Sequence, residues 1–338
     1  MATAHGPCRF GQYAPYLRQV LDELGYSDVL VFSPTSGDGY GEITAGRPDL
    51  LISMWLAMVG GDLAQKFLFK TRPYETREGD SDENFTRAVK AFEDILARPD
   101  LSIKQRCKEM VAEVVRMRDR FRAIPARYEK GRPLIGLVGE IFCRLNTFSN
   151  DDIARRIERL GGECWISDIA EWVWYVNWYV ADKITRKKGR WNLEYLKHRI
   201  KAHWQHRYEK ALLDPVVDDL KGYEEPHNIR EVLDASEPYL PPQGCIGEMV
   251  LSVGKSIYLH EKGADGIIDI SPFTCMNGII CEAVYPSVSQ AYDNLPIRIF
   301  YFDGVNTNID RDLEIFLDLA RAYQKRKTKP RVYPAYFE

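Results

Sequence analysis

An α/β fold of parallel strands covered by helices is the class this sequence predicts, on three observations. Short β-branched runs at 134–138, 163–166, 266–270 and 297–302 alternate with stretches of helical apolar period. The run 134–166 reads as a complete strand, turn, helix, strand unit, closed by Gly161-Gly162. The last helical stretch carries Leu313, Phe316, Leu317, Ala320 and Tyr323 on one stripe, as a helix lying on a sheet should. Four parallel strands with intervening helices imply a flavodoxin-like or Rossmann-like lobe.

The elements follow in order. Leu17, Val20, Leu21 and Leu24 make an amphipathic opening helix, and Gly25 stops it. Val29 to Phe32 reads as a short buried strand, followed by a loop with Gly37, Gly39 and Gly41. That loop lacks the third glycine of a dinucleotide turn and the lysine of a P-loop, so it reads as a plain connection. An apolar helix covers about 49–70, and helical spacing recurs at 82–96 and 103–121, with Cys107 on the core face of the last. Pro125, Gly131 and Pro133 mark a linker, and the domain boundary is expected there, giving lobes 1–130 and 131–338. One strand is too few for a sheet in the first lobe, so either a second chain or segment completes that sheet, the favoured account, or the opening region is a helical lobe packed on the second domain.

In the second lobe the strand 134–138 is followed by a turn through Glu140 to Ser149, a helix at 150–160 capped by Ser149, and the strand 163–166. A helical insertion spans about 168–258 and holds Trp172, Trp174, Trp178, Trp191 and Trp204. Lys183, Arg186, Lys187, Lys188 and Arg190 lie among these aromatics, a mixture that also describes single-strand binding surfaces. Ile169, Trp172, Val173, Val176 and Val180 nevertheless share one helical stripe, so the rings read as core and nucleic acid is not the expected partner. His198, His203 and His206 lack a third ligand and read as hydrogen-bonded histidines. Strand 266–270, helix 278–292, strand 297–302 and helix 310–325 complete the lobe.

The 338 residues exceed the usual single-domain size, and a net charge of -3 gives no global attraction to nucleic acid or anionic membrane. The opening residues lack a secretory pattern and no apolar run is long enough to span a bilayer, so a cytoplasmic, non-membrane protein is expected. Seven scattered cysteines without a CxxC pair argue against disulfides and against a zinc ribbon. Any metal site must join distant segments.

Two cysteines stand at helix starts, where backbone N–H groups and the helix dipole favour a thiolate: Cys8 in Gly6-Pro7-Cys8, and Cys275 after the strand 266–270. Cys275 also falls where open parallel sheets bind their ligands. By the same topology Glu140, at a strand end, and Glu282, beside Cys281, are the carboxylates expected to manage protons.

The segments GPCRFGQY at Gly6, GLVGEIFCRLNTFSNDDIARRIERLGGECW from Gly136, GEMVLSVGK from Gly247 and DGIIDISPFTCMNGIICEA from Asp265 resemble one family. It is the 2-hydroxyacyl-CoA dehydratase-like family, in particular the dehydratase-like region of CoA-substrate-specific activase-related proteins. The resemblance runs from Gly6 to about Arg326. It implies two flavodoxin-like lobes holding an oxygen-sensitive iron-sulfur cluster, 4Fe-4S or larger, through thiolates from separated segments. Carried over, Cys8 and Cys275 match the cysteine-bearing motifs, and Cys245, just ahead of GEMVLSVGK, is a third ligand. Cys143 and Cys281 depart from the pattern as core thiols or as further ligands, while Cys164 reads as buried. The implied chemistry is single-electron reduction of an acyl-CoA thioester with loss of its 2-hydroxyl. The electron comes from an ATP-dependent activator protein with its own cluster.

Two other readings stand beside it. One is a noncatalytic α/β binding or scaffold component whose thiols are structural. The other is a thiol enzyme with Cys8 as nucleophile, for which His5 in the N-terminal tail is a poor base.

Overall fold

The computed structural model describes residues 9–33, 47–243, 245, 247–304 and 309–337. The chain forms two compact units, Met1–Trp55 and Leu56–Glu338. The linker at 124–133 runs irregularly within the second unit.

In the first unit, α1 (Tyr13–Glu23) ends before Gly25, whose φ of 82° gives the left-handed turn. The expected strand at Val29 to Phe32 does not form. The stretch is irregular, with the Arg18 guanidinium donating to the Val29 and Tyr26 carbonyls at 2.6 and 2.9 Å. A ladder needs a partner strand, and the described residues of that unit contain none. The glycine loop and Cys8 lie outside the described residues.

Helix α2 (Pro48–Thr71) crosses the unit boundary, and in the second unit it is followed by α3 (Asp80–Ala97) and α4 (Ile103–Arg122). A capping box starts α4: Ser102 accepts from the Gln105 N–H while the Gln105 side chain takes the Ser102 N–H. These helices pack on the sheet-bearing part. Phe69 enters the sheet core, and Arg122 holds Asp219 through two bonds of 2.7 and 2.9 Å.

Among the described residues there is one sheet, all parallel, in the order β2-β1-β3-β4, with β1 Leu134–Gly139, β2 Glu163–Ile166, β3 Gly266–Pro272 and β4 Ile297–Phe302. Between β1 and β2 lie the short α5 (Ile141–Leu145) and α6 (Ile153–Arg159). The insertion contains α7 (Ile169–Lys188), α8 (Leu193–Leu213), α9 (Arg230–Ser236) and α10 (Glu248–Glu261). Then α11 (Met276–Ala291) joins β3 to β4, and α12 (Ile309–Gln324) closes the lobe.

Alternation along β1 explains the layers. Ile135 and Leu137 face a core shared with Ile157, Leu313, Phe316 and Leu317, whereas Leu134 and Val138 face the core holding Leu259 and Tyr223. Both faces are covered, which is why the strands read as continuous apolar runs. At Gly136 a Cβ would lie 2.6 Å from Leu259 Cδ1, so the glycine lets α10 press onto β1.

Two sequence expectations change here. The helix expected at 150–160 starts at Ile153, because Asp151 and Asp152 take positive φ of 53° and 50° and delay it; Ser149 instead gives its N–H to the Asn146 side chain. The tryptophans of the insertion also divide. Trp172 and Trp178 pack on the core of α10 and α11, but Trp191 is fully exposed and Trp204 is 44% exposed on α8.

Candidate functional site

The chain enters β1, passes to β2 on one side, and returns to place β3 on the other side of β1. β1 and β3 stay paired to their carboxyl ends, and the connections that leave them run in opposite directions, the arrangement that opens a cleft in such sheets. Its walls come from the end of β1, from α5, from the start of α7 and from the first turns of α10, including Gly139, Arg144, Asp168, Glu171, Trp172 and Glu248. The cavity they leave measures about 10 Å³, room for about one water molecule. Phe142 on α5, and Phe148 and Phe273 on the loops at this same edge, are all exposed.

Local chemistry fixes each wall. Glu140 begins α5 and accepts from the Phe142 and Cys143 N–H groups at 3.1 and 2.7 Å. The buried Asn150 amide donates to the carbonyls of Cys143 and Arg144, each at 2.9 Å, tying the following turn to α5. Asp62, from α2, accepts from the N–H groups of Ile169 and Ala170 at 3.0 and 2.9 Å and so caps α7 from outside. Burial, and then the neighbouring Asp168 charge, push the Asp62 carboxyl upward. Glu248, the first residue of α10, accepts from the Ile141 N–H at 3.1 Å and thereby joins α10 to the end of β1. Desolvation, followed by the Glu140 charge, pushes Glu248 up to about 8, so it is protonated at neutral pH.

An ionic network lies beside the cleft. Lys66 Nζ is 3.0 Å from Asp168 and 2.7 Å from Glu225, while Lys255, fully buried in α10, contacts Glu225 and lies 2.9 Å from Glu171. The Trp165 indole N–H also donates to Glu225, at 2.9 Å. Burial alone would raise Glu225; Lys255 and Lys66 outweigh it and hold the carboxyl down at about 2. Asp168 goes the other way, to about 6, because burial and the Glu225 charge exceed what the lysines return.

The thiols sort by position. Cys275 is the residue before α11, half-buried at the end of β3; its side chain makes no capping hydrogen bond, and the nearby backbone N–H groups of Asn277 and Gly278 favour its anion. Those donors act in the expected direction, yet the thiol is raised overall. Burial comes first, and Glu140 and Glu248 add repulsion. Cys143, on α5, is buried and pushed up to about 12 by desolvation, with Glu140 and Cys275 contributing. Cys143, Cys275, Glu140 and Glu248 thus share one electrostatic neighbourhood at the switch point. Cys245 lies in the turn ahead of α10, half-buried against the core of α7, α10 and α11. Cys281 is fully buried, its Sγ 3.7 Å from the Met249 carbonyl and beside Asp269. Glu282 is exposed on α11 and accepts from the Tyr301 hydroxyl at 2.8 Å.

Of the residues expected from sequence, the structure brings Glu140 and Cys275 within electrostatic reach of each other, neither of them lining the cleft, and leaves Cys281 buried and Glu282 exposed on α11. Among the described residues no group of three or more His, Cys, Asp or Glu side chains is arranged to hold a metal ion, and no helix is long and apolar enough to cross a membrane. Sequence reasoning missed Glu248, Arg144 and the network of Lys66, Asp168, Glu225 and Lys255. Glu248 and Lys255 are seven apart within GEMVLSVGK, a spacing that puts both on one helical face. Lys66 and Glu225 are 159 residues apart, and nothing local links them.

Fold and cleft together define an α/β protein with a candidate site at the carboxyl edge of a parallel sheet. Comparison with protein-family models, curated proteins and solved structures found no match to this chain.

Proposed function

We propose that the switch-point cleft is the reaction site of an iron-sulfur protein of the 2-hydroxyacyl-CoA dehydratase type, with Cys275 and Cys245 among the cluster ligands. The observation that carries this reading is the meeting of the Cys275 and Cys143 thiols with Glu140 and Glu248 at the carboxyl edge of β1 and β3. The donor set fits a cluster in part: sulfur is available at the right edge, although the described residues do not make up a complete ligand set. Cys8, which the resemblance adds, lies outside the described residues.

A bound cluster would supply single-electron transfer and an iron that draws on a substrate oxygen. The chain's own residues do the rest. Glu248, held protonated, offers a proton at the cleft, which suits a general acid for a departing hydroxyl. Glu140 spends both oxygens on backbone N–H groups and positions the β1–α5 turn. Trp172 and Leu251 supply apolar wall to the cleft. Electrons come, on this reading, from a separate ATP-dependent activator protein, and an acyl-CoA is the substrate.

The test is iron and acid-labile sulfide per chain after strictly anoxic preparation. The reading expects both, in equal amounts, with Cys275→Ser and Cys245→Ser each lowering them. An iron-free wild-type protein would leave the noncatalytic binding component as the account of this cleft, a reading favoured by the burial that keeps Cys143 and Cys275 protonated.

A further inference from the structure

Helix α8 is packed along one side. Gln205 accepts from the Asn177 amide at 2.8 Å, Glu209 accepts from the Trp174 indole at 3.0 Å, and Leu212 is buried, a stripe at spacings of four and three. At 3.6 residues per turn, Leu193, Leu196, Ile200 and Trp204 fall on the opposite side, and the first three are 66, 55 and 51% exposed. Trp191, just ahead of the helix, is wholly exposed. The charges around this apolar row are of one sign. Lys187 and Arg190 at the α7–α8 turn, and Lys197 and Arg199 flanking the row, are exposed and make no ion pair among the described residues. Arg207 ends the row, its guanidinium 5.4 Å from the centre of the Trp204 ring. The two acids of α8 are engaged elsewhere, Glu194 with Lys188 and Glu209 with Trp174.

We propose that α8 is an interfacial helix that lays this face on an anionic lipid bilayer. Trp191, Leu193, Leu196 and Ile200 enter the headgroup boundary, and the cations beside them meet lipid phosphates. Charge complementarity selects the occupant. A second copy of the same face would set cation against cation, and a neutral surface would leave the basic flanks without a counterpart. Single-stranded nucleic acid supplies phosphates and stacks on rings, but it has no use for three exposed aliphatic side chains in a row. The whole chain carries a net charge of -3, so the attraction is local to this face. The helix lies on the bilayer, since among the described residues no helix is long and apolar enough to cross it. The inference goes beyond the iron reading, and no thiol takes part in it.

Flotation of the full chain with vesicles tests it, using phosphatidylcholine alone and an equal mixture of phosphatidylcholine and phosphatidylglycerol. The chain should float with the mixed vesicles and bind phosphatidylcholine at least about tenfold more weakly, and added salt should weaken binding to the mixture. Lys197→Gln with Arg199→Gln should lower affinity for the mixed vesicles by about tenfold or more, and Leu196→Gln with Ile200→Gln by a similar factor. All four side chains are exposed, so both double variants should melt with the wild type. Should either fail to fold, Trp191→Ser decides, because that ring has no packing to lose, and unchanged affinity there overturns the proposal. Equal binding to the two vesicle types, or no flotation, overturns it as well, as does a loss in the charge variant that the aliphatic variant does not share. So does poly(U) RNA binding more tightly than the mixed vesicles, or a dimer that Leu196→Gln with Ile200→Gln dissociates. Cys275→Ser should float as the wild type does whatever its iron content, so the two readings fail separately.

Discussion

A Cβ on Gly139 would sit 2.2 Å from the Ile270 carbonyl oxygen and 2.5 Å from its nitrogen. The contacts are backbone atoms of the neighbouring strand and cannot rotate away. Gly139 also has a φ of 114°, where an L side chain is strained. This glycine lets β1 turn out of the sheet toward Glu140 while the Glu140 N–H still bonds Ile270 at 2.9 Å. Gly139→Ala is therefore expected to destabilise the second unit by about 3 kcal/mol or more, read as a lower urea midpoint. A midpoint within error of wild type would mean the β1 turn is freer than its geometry implies.

Glu248 gives a pH signature. Its carboxyl is raised from the ordinary 4.5 to about 8 in the fold, so between those values the folded chain binds the extra proton and the unfolded chain does not. Stability from this group is present below about pH 4.5 and is lost as pH rises toward 8. Glu248→Gln should flatten that fall, gaining on the order of 2 kcal/mol over wild type at pH 8. Denaturant titrations of both proteins at pH 5 and pH 8 check it; parallel curves would remove Glu248 as the proton donor proposed for the cleft.

The sequence exposed the sheet but only half of the site. Runs 163–166 and 297–302 coincide with β2 and β4, because buried parallel strands need uninterrupted apolar residues and Gly161-Gly162 punctuates the first of them. Val29 to Phe32 has the same composition and forms no strand, since composition cannot say whether a partner strand is within reach. At Cys275 the helix-start position was legible. Its protonation was not, because that depends on burial and on Glu140 and Glu248, which arrive from other elements. Arg144 could not be recognised either, for an arginine on a five-residue helix reads as surface until its lack of a carboxylate is seen.

Lys255 tests the network beside the cleft. It has no exposed surface, and its charge is retained because Glu171 and Glu225 outweigh the cost of burial. Lys255→Met would leave Glu171 without its cation and Glu225 with Lys66 alone, costing about 3–5 kcal/mol at neutral pH. Glu225 stands at about 2 in the fold against an ordinary 4.5, so it stabilises above pH 4.5 and loses that contribution as pH falls toward 2. The variant should lack much of this acid loss, so the gap to wild type narrows on acidification. A gap constant with pH would assign the loss to packing instead.

Thr274 carries the last residue-level strain next to the thiol of interest. It joins β3 to Cys275 with a φ of 64°, a left-handed conformation that a β-branched side chain resists. The carboxyl ends of β1 and β3 thus each end in an unusual backbone angle, but at β1 a glycine relieves it and at β3 a threonine does not. Such strain persists where the surrounding structure holds the residue and often serves to aim a neighbour. Thr274 is exposed, so replacing it removes little packing. Thr274→Asn, which tolerates this region, and Thr274→Gly should each stabilise the protein by about 1 kcal/mol in urea denaturation. If the threonine is kept to fix the direction of Cys275, the more stable variants should also react faster with a thiol reagent at that cysteine, because the freed turn lets the half-buried sulfur swing toward solvent. Greater stability with unchanged reactivity would make the strain incidental to the thiol.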